Sequence, residues 1–167
     1  MLELEFMQID YSGTVSPKEK RALEHNSAYS LLDKMLGAHG IVDYEISRNE
    51  NGKPYIDGAN IHFSISHTNG LCAVAVSDTP IGIDCEKIDP AYLDRVDSFS
   101  KRYFTPNEQN EIKESENKLG KFFEIWTRKE AYIKKYGLNS AEITRVDTTA
   151  LSFQTEMRGD FIITIFK

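Results

Sequence analysis

The chain has 167 residues, of which 40% are hydrophobic and 28% are charged, and its formal net charge is −6. This length supports a single hydrophobic core and excludes two large independent domains, while the composition excludes wholesale disorder. The negative charge argues against a general binder of nucleic acids or of anionic membrane surfaces.

The start of the chain and its two cysteines indicate a cellular setting. Residues 1–8 lack the basic segment and apolar core of a signal peptide, and no apolar run is long enough to span a membrane. Cys72 and Cys85 lie in apolar, strand-like runs without metal-ligand spacing, so we expect reduced, buried side chains. We therefore expect a cytoplasmic protein with no membrane span.

The first half of the chain is rich in predicted strands and contains one long predicted helix. Ser16, Pro17 and Glu19 form the pattern of a capped helix start, and the helix is expected to end at about Leu36. The Asn-Gly and Pro of residues 50–55 predict a turn. Alternating or continuous apolar patterns predict strands over residues 2–6, 42–48, 61–66, 71–77 and 81–86.

The second half reads differently, with helices first and strands last. Thr105 followed by Pro106 and Glu108 predicts another capped helix start. The predicted helices cover residues 91–103, 106–115 and 119–137. Two strand-like runs, residues 148–156 and 161–166, predict a terminal hairpin.

The segment I-G-I-D-C-E, residues 81–86, places two acids on one face of a strand. Ile81, Ile83 and Cys85 alternate with the other residues, so they can face a core while Asp84 and Glu86 share the opposite face. Two carboxylates side by side repel each other, and nothing within this segment offsets that repulsion. The pattern therefore predicts a partner for the acids elsewhere in the chain.

A candidate partner is the predicted helix F-F-E-I-W-T-R-K-E-A-Y-I-K-K-Y-G, residues 122–137. Trp126, Glu130 and Lys134 are spaced four residues apart and fall near one helix face, with Lys129 beside them. The plain interpretation is an amphipathic helix with a solvated Glu–Lys pair. The alternative interpretation brings Glu130 next to Asp84 and Glu86, and the three carboxylates would form an all-oxygen cluster that suits Mg²⁺. Lys134 or Lys129 would then bind a phosphate group.

The segment F-S-I-S-H-T-N-G, residues 63–70, ends a predicted strand in small polar residues. Ser66, His67, Thr68 and Asn69 can all donate hydrogen bonds to an anion, and Gly70 permits close approach of the backbone. The alternative is an ordinary Ser/Asn/Gly turn. A Ser–His nucleophilic pair is disfavoured, because neighbouring strand residues point to opposite faces.

Taken in order, N-G-K-P-Y, F-S-I-S-H-T-N-G, I-G-I-D-C-E and the Trp-containing helix resemble the 4′-phosphopantetheinyl transferase superfamily. Their order and spacing are similar to its surfactin-synthetase-activating branch. The resemblance covers about residues 50–137. It implies an enzyme that transfers the phosphopantetheine arm of coenzyme A to a serine of an acyl or peptidyl carrier protein. The reaction depends on Mg²⁺ and releases adenosine 3′,5′-bisphosphate.

The resemblance also implies a fold and a domain organisation. The expected fold is α+β, with two pseudo-repeated halves, each a helix packed on a small antiparallel sheet, forming an intramolecular pseudo-dimer whose first half is short. The halves would be residues 1–80 and residues 81–167, the second carrying the metal site. Such a chain is expected to be a monomer.

The resemblance further implies residue roles. The metal ligands would be Asp84, Glu86 and Glu130, and the catalytic residues Glu130, Lys134 and Asp84. Coenzyme A would contact residues of three of the four motifs: Gly52, Lys53, Pro54, Ser66, His67, Lys129 and Lys134, with His67 at the 3′-phosphate. Glu108 matches an acidic position near the site. The proton acceptor would be Glu130 or a water on the metal.

Two segments depart from the family pattern. Relatives carry basic residues in the early helix that reach the 3′-phosphate, whereas here only Lys20, Arg21 and Lys34 are near candidates. The family pattern G-x-G-L after the lysine motif is replaced by Y-G-L-N-S, residues 136–140. A carrier-binding patch could draw on basic residues of the second half: Lys101, Arg102, Lys113, Lys118 and Lys121.

Two further hypotheses come from other functional classes. The chain could be a binding module that holds coenzyme A or a carrier protein without turnover. It could also be an unrelated Mg²⁺-dependent phosphohydrolase that uses the same acids and needs only water as the acceptor. Turnover and its dependence on a carrier protein discriminate among the three.

Overall fold

A computed structural model describes residues 1–12 and 16–167. The described strands are β1 (Leu2–Gln8), β2 (Ile46–Arg48), β3 (Pro54–Ile56), β4 (His62–Thr68), β5 (Leu71–Ser77), β6 (Gly82–Lys87), β7 (Gln154–Arg158) and β8 (Phe161–Phe166). The α-helices are α1 (Pro17–Ala38), α2 (Val96–Tyr103), α3 (Pro106–Glu114) and α4 (Lys118–Tyr136). Short 3₁₀ helices cover Pro90–Arg95 and Ser140–Thr144.

Each half of the chain contributes a three-stranded antiparallel sheet and a long helix. The first sheet has the order β1-β5-β4, and the second has the order β6-β8-β7. Strands β2 and β3 form a separate two-stranded ribbon. The expected α+β class is confirmed, whereas the pseudo-repeat, the pseudo-dimer and the division at residue 80 stay predictions.

The layers follow from the alternation of apolar side chains on β5. One set, which includes Val74, packs in a core with Leu32 and Leu36 of α1. The opposite set, which includes Ala73, packs in a second core with Ile83 of β6. The first sheet therefore lies between α1 and the second sheet, which explains why β5 is buried along its whole length.

Helix α4 covers the remaining face of the second sheet. Ile162 of β8 shares a third core with Phe122 and Ile125 of α4. Thr127 of α4 and Thr164 of β8, both fully buried, lie 2.7 Å apart through their hydroxyl oxygens. The face of β6 that carries Asp84 and Glu86 is therefore turned toward α4.

Most predicted element boundaries agree with the structure, and four differ. The strand expected over residues 42–48 is shorter, since β2 covers only Ile46–Arg48. Pro54 and Tyr55, expected in the turn of residues 50–55, belong to strand β3, which pairs with β2. Residues 90–95 form a 3₁₀ helix before α2, because Asp89 caps Ala91 and Pro90 begins the turn. The strand expected from residue 148 begins only at Gln154, since Thr148 is bonded to Glu108 instead.

Cys72 and Cys85 are free and buried, which confirms the expectation of reduced side chains. In the described ranges, residues 1–12 and 16–167, no helix has the length and hydropathy that a membrane span needs.

Candidate active site

Strand β6 presents its two acids toward α4, as the alternation of the segment predicts. Asp84 is only 4% exposed, whereas Glu86, two residues further along β6, is half-buried. Their apolar neighbours Ile83 and Cys85 pack into the core on the opposite face. The strand register thus separates the acids from the core that holds the strand in place.

Helix α4 brings a third acid and a lysine to the same place. Its start is capped by Asn117, and its end by Gly137 in the left-handed conformation. A close approach to β6 is possible only because residue 82 is glycine: an added Cβ would lie 1.8 Å from the carbonyl oxygen of Ala131. Glu130 and Lys134 flank Ala131 in α4, so this close contact brings both residues near β6.

The lysine makes a direct ion pair with the first acid. Lys134 Nζ lies 2.7 Å from Asp84 Oδ1 and also donates to Ser66 Oγ at 2.9 Å. Ser66 Oγ in turn donates to Asp84 Oδ1 at 2.8 Å. The structure therefore brings together Asp84, Ser66 and Lys134, which the sequence analysis assigned to one site from three separate segments.

The carboxylates of this site perturb one another. Burial and then the charge of Asp84 raise the pKa of Glu86 to about 7. Burial and then Asp84 also raise the pKa of Glu130, although Lys134 offsets part of the effect. Burial alone would lower the pKa of Lys134, but the charge and hydrogen bond of Asp84 together with Cys85 and Glu130 outweigh it, and the pKa is raised. The site thus concentrates negative charge that one ammonium group compensates only in part.

The donor set of the site suits a hard cation. Asp84 Oδ2 is buried and has no hydrogen-bond partner among the described residues. The carboxylates of Glu86 and Glu130 lie near enough to Asp84 that burial and then its charge raise the pKa of both. Within residues 1–12 and 16–167, however, no three His, Cys, Asp or Glu side chains converge closely enough to form a ready metal site. Oxygen ligands of this kind fit Mg²⁺, which needs few protein ligands.

The N-G-K-P loop docks on the end of α4, next to Lys134. Asn49 and Asn51 donate through their side-chain amides to the carbonyl oxygen of Gly137, at 3.0 and 2.9 Å. Lys53 Nζ donates to the carbonyl oxygen of Lys135 at 2.6 Å. Burial and then the charge of Lys135 lower the pKa of Lys53 to about 8. These contacts satisfy carbonyl groups that a helix end leaves without partners.

A cavity of about 320 Å³ lies between this loop and α4. Lys53 and Pro54 line one side, and Lys134 lines the other, with Phe63 and Ile65 of β4 contributing apolar surface. A second cavity of about 670 Å³ adjoins Glu86 and is lined by aromatic side chains of the second half: Tyr92, Phe99, Phe122, Phe123 and Trp126. Glu86 therefore lines one cavity, and Lys134 lines the other.

The structure places the side chain of His67 away from that of Ser66, its neighbour on β4. His67 Nδ1 lies 3.4 Å from Glu24 Oε2 of α1, and the ring is 39% exposed. The hydroxyl group of Tyr11 donates to the same Glu24 carboxylate. The early helix thus offers an acid at the position where the family resemblance implied basic residues.

Lys129 and Glu108 form a buried ion pair that does not face the acids. Both side chains are fully buried, and Lys129 Nζ lies 2.8 Å from Glu108 Oε2. The ammonium group also donates to the carbonyl oxygens of Ile143, at 2.9 Å, and of Val146. Because all three N–H groups are used within the protein, this arrangement gives coenzyme binding by Lys129 no geometric support.

Sequence reasoning missed three residues that shape the site. Gly82 is visible in the motif, but its closeness to α4 depends on tertiary packing. Ser64 carries no local signal that distinguishes it from other small polar residues, although its hydroxyl group accepts a hydrogen bond from the N–H group of Ile83 in β6. Glu24 carries no local signal, because its contact with His67 joins residues 43 positions apart.

Comparisons with known proteins match the second half of the chain to one family. Residues 80–167 match the family described as the 4′-phosphopantetheinyl transferase superfamily. The matched region includes Asp84, Glu86, Glu130 and Lys134, and it leaves Ser66 and His67 outside. The family match therefore covers the strand and the helix that meet at the acids.

Several curated proteins are similar to this chain. The 4′-phosphopantetheinyl transferase gsp of Aneurinibacillus migulanus is 38% identical over 54% of this chain and 37% of its own length. The 4′-phosphopantetheinyl transferase Sfp of Bacillus subtilis is 36% identical over 57% of this chain and 42% of its own length. The 4′-phosphopantetheinyl transferase AcpT of Salmonella typhimurium is 36% identical over 63% of this chain and 56% of its own length.

The chain thus spans about half the length, or less, of these curated relatives. The family match covers residues 80–167, the part of the chain that carries Asp84, Glu86 and α4. The match of more than half of the chain to one family model, together with the relatives named Sfp and gsp, establishes the family. The chain belongs to the 4′-phosphopantetheinyl transferase superfamily, within its Sfp-like branch.

Proposed function

We propose that this chain transfers the 4′-phosphopantetheine arm of coenzyme A to a serine hydroxyl of an acyl or peptidyl carrier protein. The observation that supports this proposal is the ion pair of Lys134 with Asp84 between β6 and α4, with Glu86 and Glu130 close enough for the charge of Asp84 to raise their pKa values, within the region that matches the family. In this reaction the serine oxygen bonds to the β-phosphorus of coenzyme A. The bond to the bridging pyrophosphate oxygen breaks, and adenosine 3′,5′-bisphosphate leaves.

Asp84, Glu86 and Glu130 would hold Mg²⁺. The ion would neutralise charge on the pyrophosphate and orient it for displacement. The orphaned, buried Asp84 Oδ2 and the raised pKa values of the two glutamates support this assignment, because a cation would relieve both.

Lys134 and Glu130 are the residues that would act on the reacting groups. Lys134 Nζ is bound by only two protein oxygens among the described residues, so one N–H group can donate to a phosphate oxygen. Glu130 is the candidate acceptor of the serine proton, since its raised pKa makes it a stronger base than an ordinary carboxylate.

The two cavities supply room for the rest of coenzyme A and for the acceptor. The cavity beside Lys53 and Pro54 would take the adenine end, with His67 at the 3′-phosphate. Exposed basic residues of α2, α3 and α4 (Lys101, Arg102, Lys113 and Lys118) are candidates for contacting an acidic carrier protein. Lys121 is a weaker candidate, because it pairs with Glu124 at 2.7 Å.

The test is intact-mass spectrometry of an apo acyl carrier protein and an apo peptidyl carrier domain. Each is incubated with this protein, coenzyme A and Mg²⁺. We expect each accepted carrier to gain the mass of one phosphopantetheine arm, and a chelator to abolish the gain. Asp84→Asn should abolish it too, whereas Asp97→Asn, at an exposed position, should retain it.

Other outcomes would contradict the proposal. Coenzyme A binding without modification of any carrier would support the binding-module hypothesis. Steady release of adenosine 3′,5′-bisphosphate without a carrier would support the phosphohydrolase hypothesis.

A further inference from the structure

Strands β4 and β6 lie side by side but bond through their main chains to other strands. β4 pairs with β5, and β6 pairs with β8. The contact between the two sheets is therefore made by side chains. Three hydroxyl groups of β4 accept hydrogen bonds from the main chain of β6, and we refer to them as the hydroxyl ladder: Ser64, Ser66 and Thr68.

The ladder has a regular register. Ser64 Oγ accepts from the N–H group of Ile83 at 3.1 Å, and Ser66 Oγ accepts from that of Cys85 at 3.1 Å. Thr68 Oγ1 accepts from the N–H group of Lys87 at 3.4 Å. Each hydroxyl replaces the carbonyl oxygen that a neighbouring strand would offer, and it fixes β4 against β6.

The same hydroxyl groups reach the acids of β6. Ser66 donates to Asp84 Oδ1 at 2.8 Å, and Thr68 donates to Glu86 Oε2 at 3.3 Å. Ser64 lies opposite Gly82, which has no side chain to accept a hydrogen bond. The ladder therefore contains two members that bind an acid and one member that does not.

Ser66 uses its whole hydrogen-bonding capacity inside the protein. A hydroxyl group has one donor and two acceptor positions. The donor is used on Asp84, and the acceptor positions are used by the N–H group of Cys85 and by Lys134 Nζ. The side chain is 4% exposed, so no further contact with a ligand is available without breaking one of these bonds.

We propose that Ser66 is a positioning residue that fixes the Asp84–Lys134 pair, rather than a residue whose side chain binds coenzyme A. Ser66 and Lys134 both bind Asp84 Oδ1, which leaves Asp84 Oδ2 without a hydrogen-bond partner among the described residues. Ser66 also fixes the Lys134 ammonium group, which has one N–H group left for a phosphate. This inference rests on the proposed function, which supplies the reaction that the pair would serve.

The ladder provides a matched control. Ser66→Ala and Ser64→Ala each remove a buried hydroxyl group and one hydrogen bond to the main chain of β6. Only Ser66→Ala also removes the contacts with Asp84 and Lys134. Ser66→Thr keeps the hydroxyl group, and Thr68 shows that the ladder accommodates a threonine.

The experiment measures carrier modification, coenzyme A binding by calorimetry and thermal stability for these three variants. We expect Ser66→Ala and Ser64→Ala to lower Tm to a similar extent. Ser66→Ala should lower kcat at least tenfold and change the Kd for coenzyme A less than threefold. Ser64→Ala and Ser66→Thr should stay within threefold of the original kcat. A large rise in Kd with unchanged kcat for Ser66→Ala would overturn the proposal, and so would equal kcat losses in both alanine variants.

Failure of the proposed function gives a different result. If the unaltered protein modifies no carrier, the proposed function fails, and crystal structures of the two alanine variants decide the positioning role. We expect the contact between Lys134 Nζ and Asp84 Oδ1 to be lost or rearranged in Ser66→Ala and to stay in Ser64→Ala. An unchanged contact in Ser66→Ala would overturn the proposal.

Discussion

Gly82 of β6 and Ala131 of α4 are packed backbone to backbone. A Cβ atom on Gly82 would lie 1.8 Å from the carbonyl oxygen of Ala131 and 2.6 Å from the amide nitrogen of Lys135. Neither atom belongs to a side chain that could change its rotamer. The distance between the strand of Asp84 and the helix of Glu130 is therefore set by the absence of a side chain at residue 82.

The first prediction is that Gly82→Ala separates α4 from β6. We expect a loss of about 1–3 kcal/mol in the free energy of unfolding, the usual cost of overpacking, or more because backbone atoms must move. We also expect carrier modification to fall more than tenfold, since Glu130 and Lys134 move with the helix. Urea unfolding and the mass-spectrometric assay measure the two effects.

Gly37→Ala is the control for this change. Gly37 lies near the end of α1, and no atom lies within 4 Å of an added Cβ. Alanine is favoured over glycine in a helix, so this variant should be at least as stable as the original protein. Equal stability and activity of the two variants would show that the approach of α4 is not limited by residue 82.

The second prediction concerns the buried Lys129–Glu108 pair. Lys129→Met leaves the Glu108 carboxylate buried without its cation, and we expect a loss of about 3–5 kcal/mol in the free energy of unfolding. Lys129→Met combined with Glu108→Gln should recover part of that loss, because no unpaired charge is then buried. Chemical unfolding of the single and double variants measures the coupling. A stable Lys129→Met variant with a weakened affinity for coenzyme A would instead indicate a ligand contact.

Local sequence patterns predicted most of the secondary structure and the placement of Asp84 and Glu86 on one face of a strand. The features that they did not predict depend on tertiary contacts. Alternation of apolar residues identified β6 with Asp84 and Glu86 on one face, and the four-residue spacing identified Glu130 and Lys134 on α4. Those signals lie within one element. The same spacing places Lys129 beside the helix face of Glu130 and Lys134, but its ammonium group pairs with Glu108 of α3. No pattern within a single segment reports such a contact.

The third prediction is a pH-dependent stability that comes from Lys53. Its pKa is lowered to about 8 by burial and by Lys135, below the ordinary value of 10.5. Between pH 8 and pH 10.5 the unfolded chain holds a proton that the folded chain has released. The free energy of unfolding should therefore rise with pH across this window, and below pH 8 the unfavourable effect of burying the charge is fully present.

Lys53→Met and Lys18→Met test this assignment. The measurement is the free energy of unfolding between pH 7 and pH 10 for the original protein and both variants. The rise should be smaller in Lys53→Met, which has no titrating group at this position. Lys18 is exposed, so Lys18→Met should follow the original protein. A parallel pH dependence in all three proteins would exclude Lys53 as the source.

The fourth prediction is that Glu24 weakens the binding of coenzyme A. Its carboxylate lies 3.4 Å from His67 Nδ1, and His67 is proposed to contact the 3′-phosphate. A phosphate group there would be repelled by Glu24, so Glu24→Gln should lower the Kd for coenzyme A. We expect a change of about fivefold, or about 1 kcal/mol, which is the usual size for a partly solvated charge contact.

Dephospho-coenzyme A provides the matched ligand for this test, because it lacks only the 3′-phosphate. Glutamine keeps an oxygen that can accept the hydrogen bond of Tyr11, so Glu24→Gln changes the charge with little change in shape. Calorimetric titration should show tighter binding of coenzyme A and unchanged binding of dephospho-coenzyme A. An equal gain for both ligands would mean that Glu24 acts on another part of coenzyme A. No gain for either would mean that the 3′-phosphate lies away from His67.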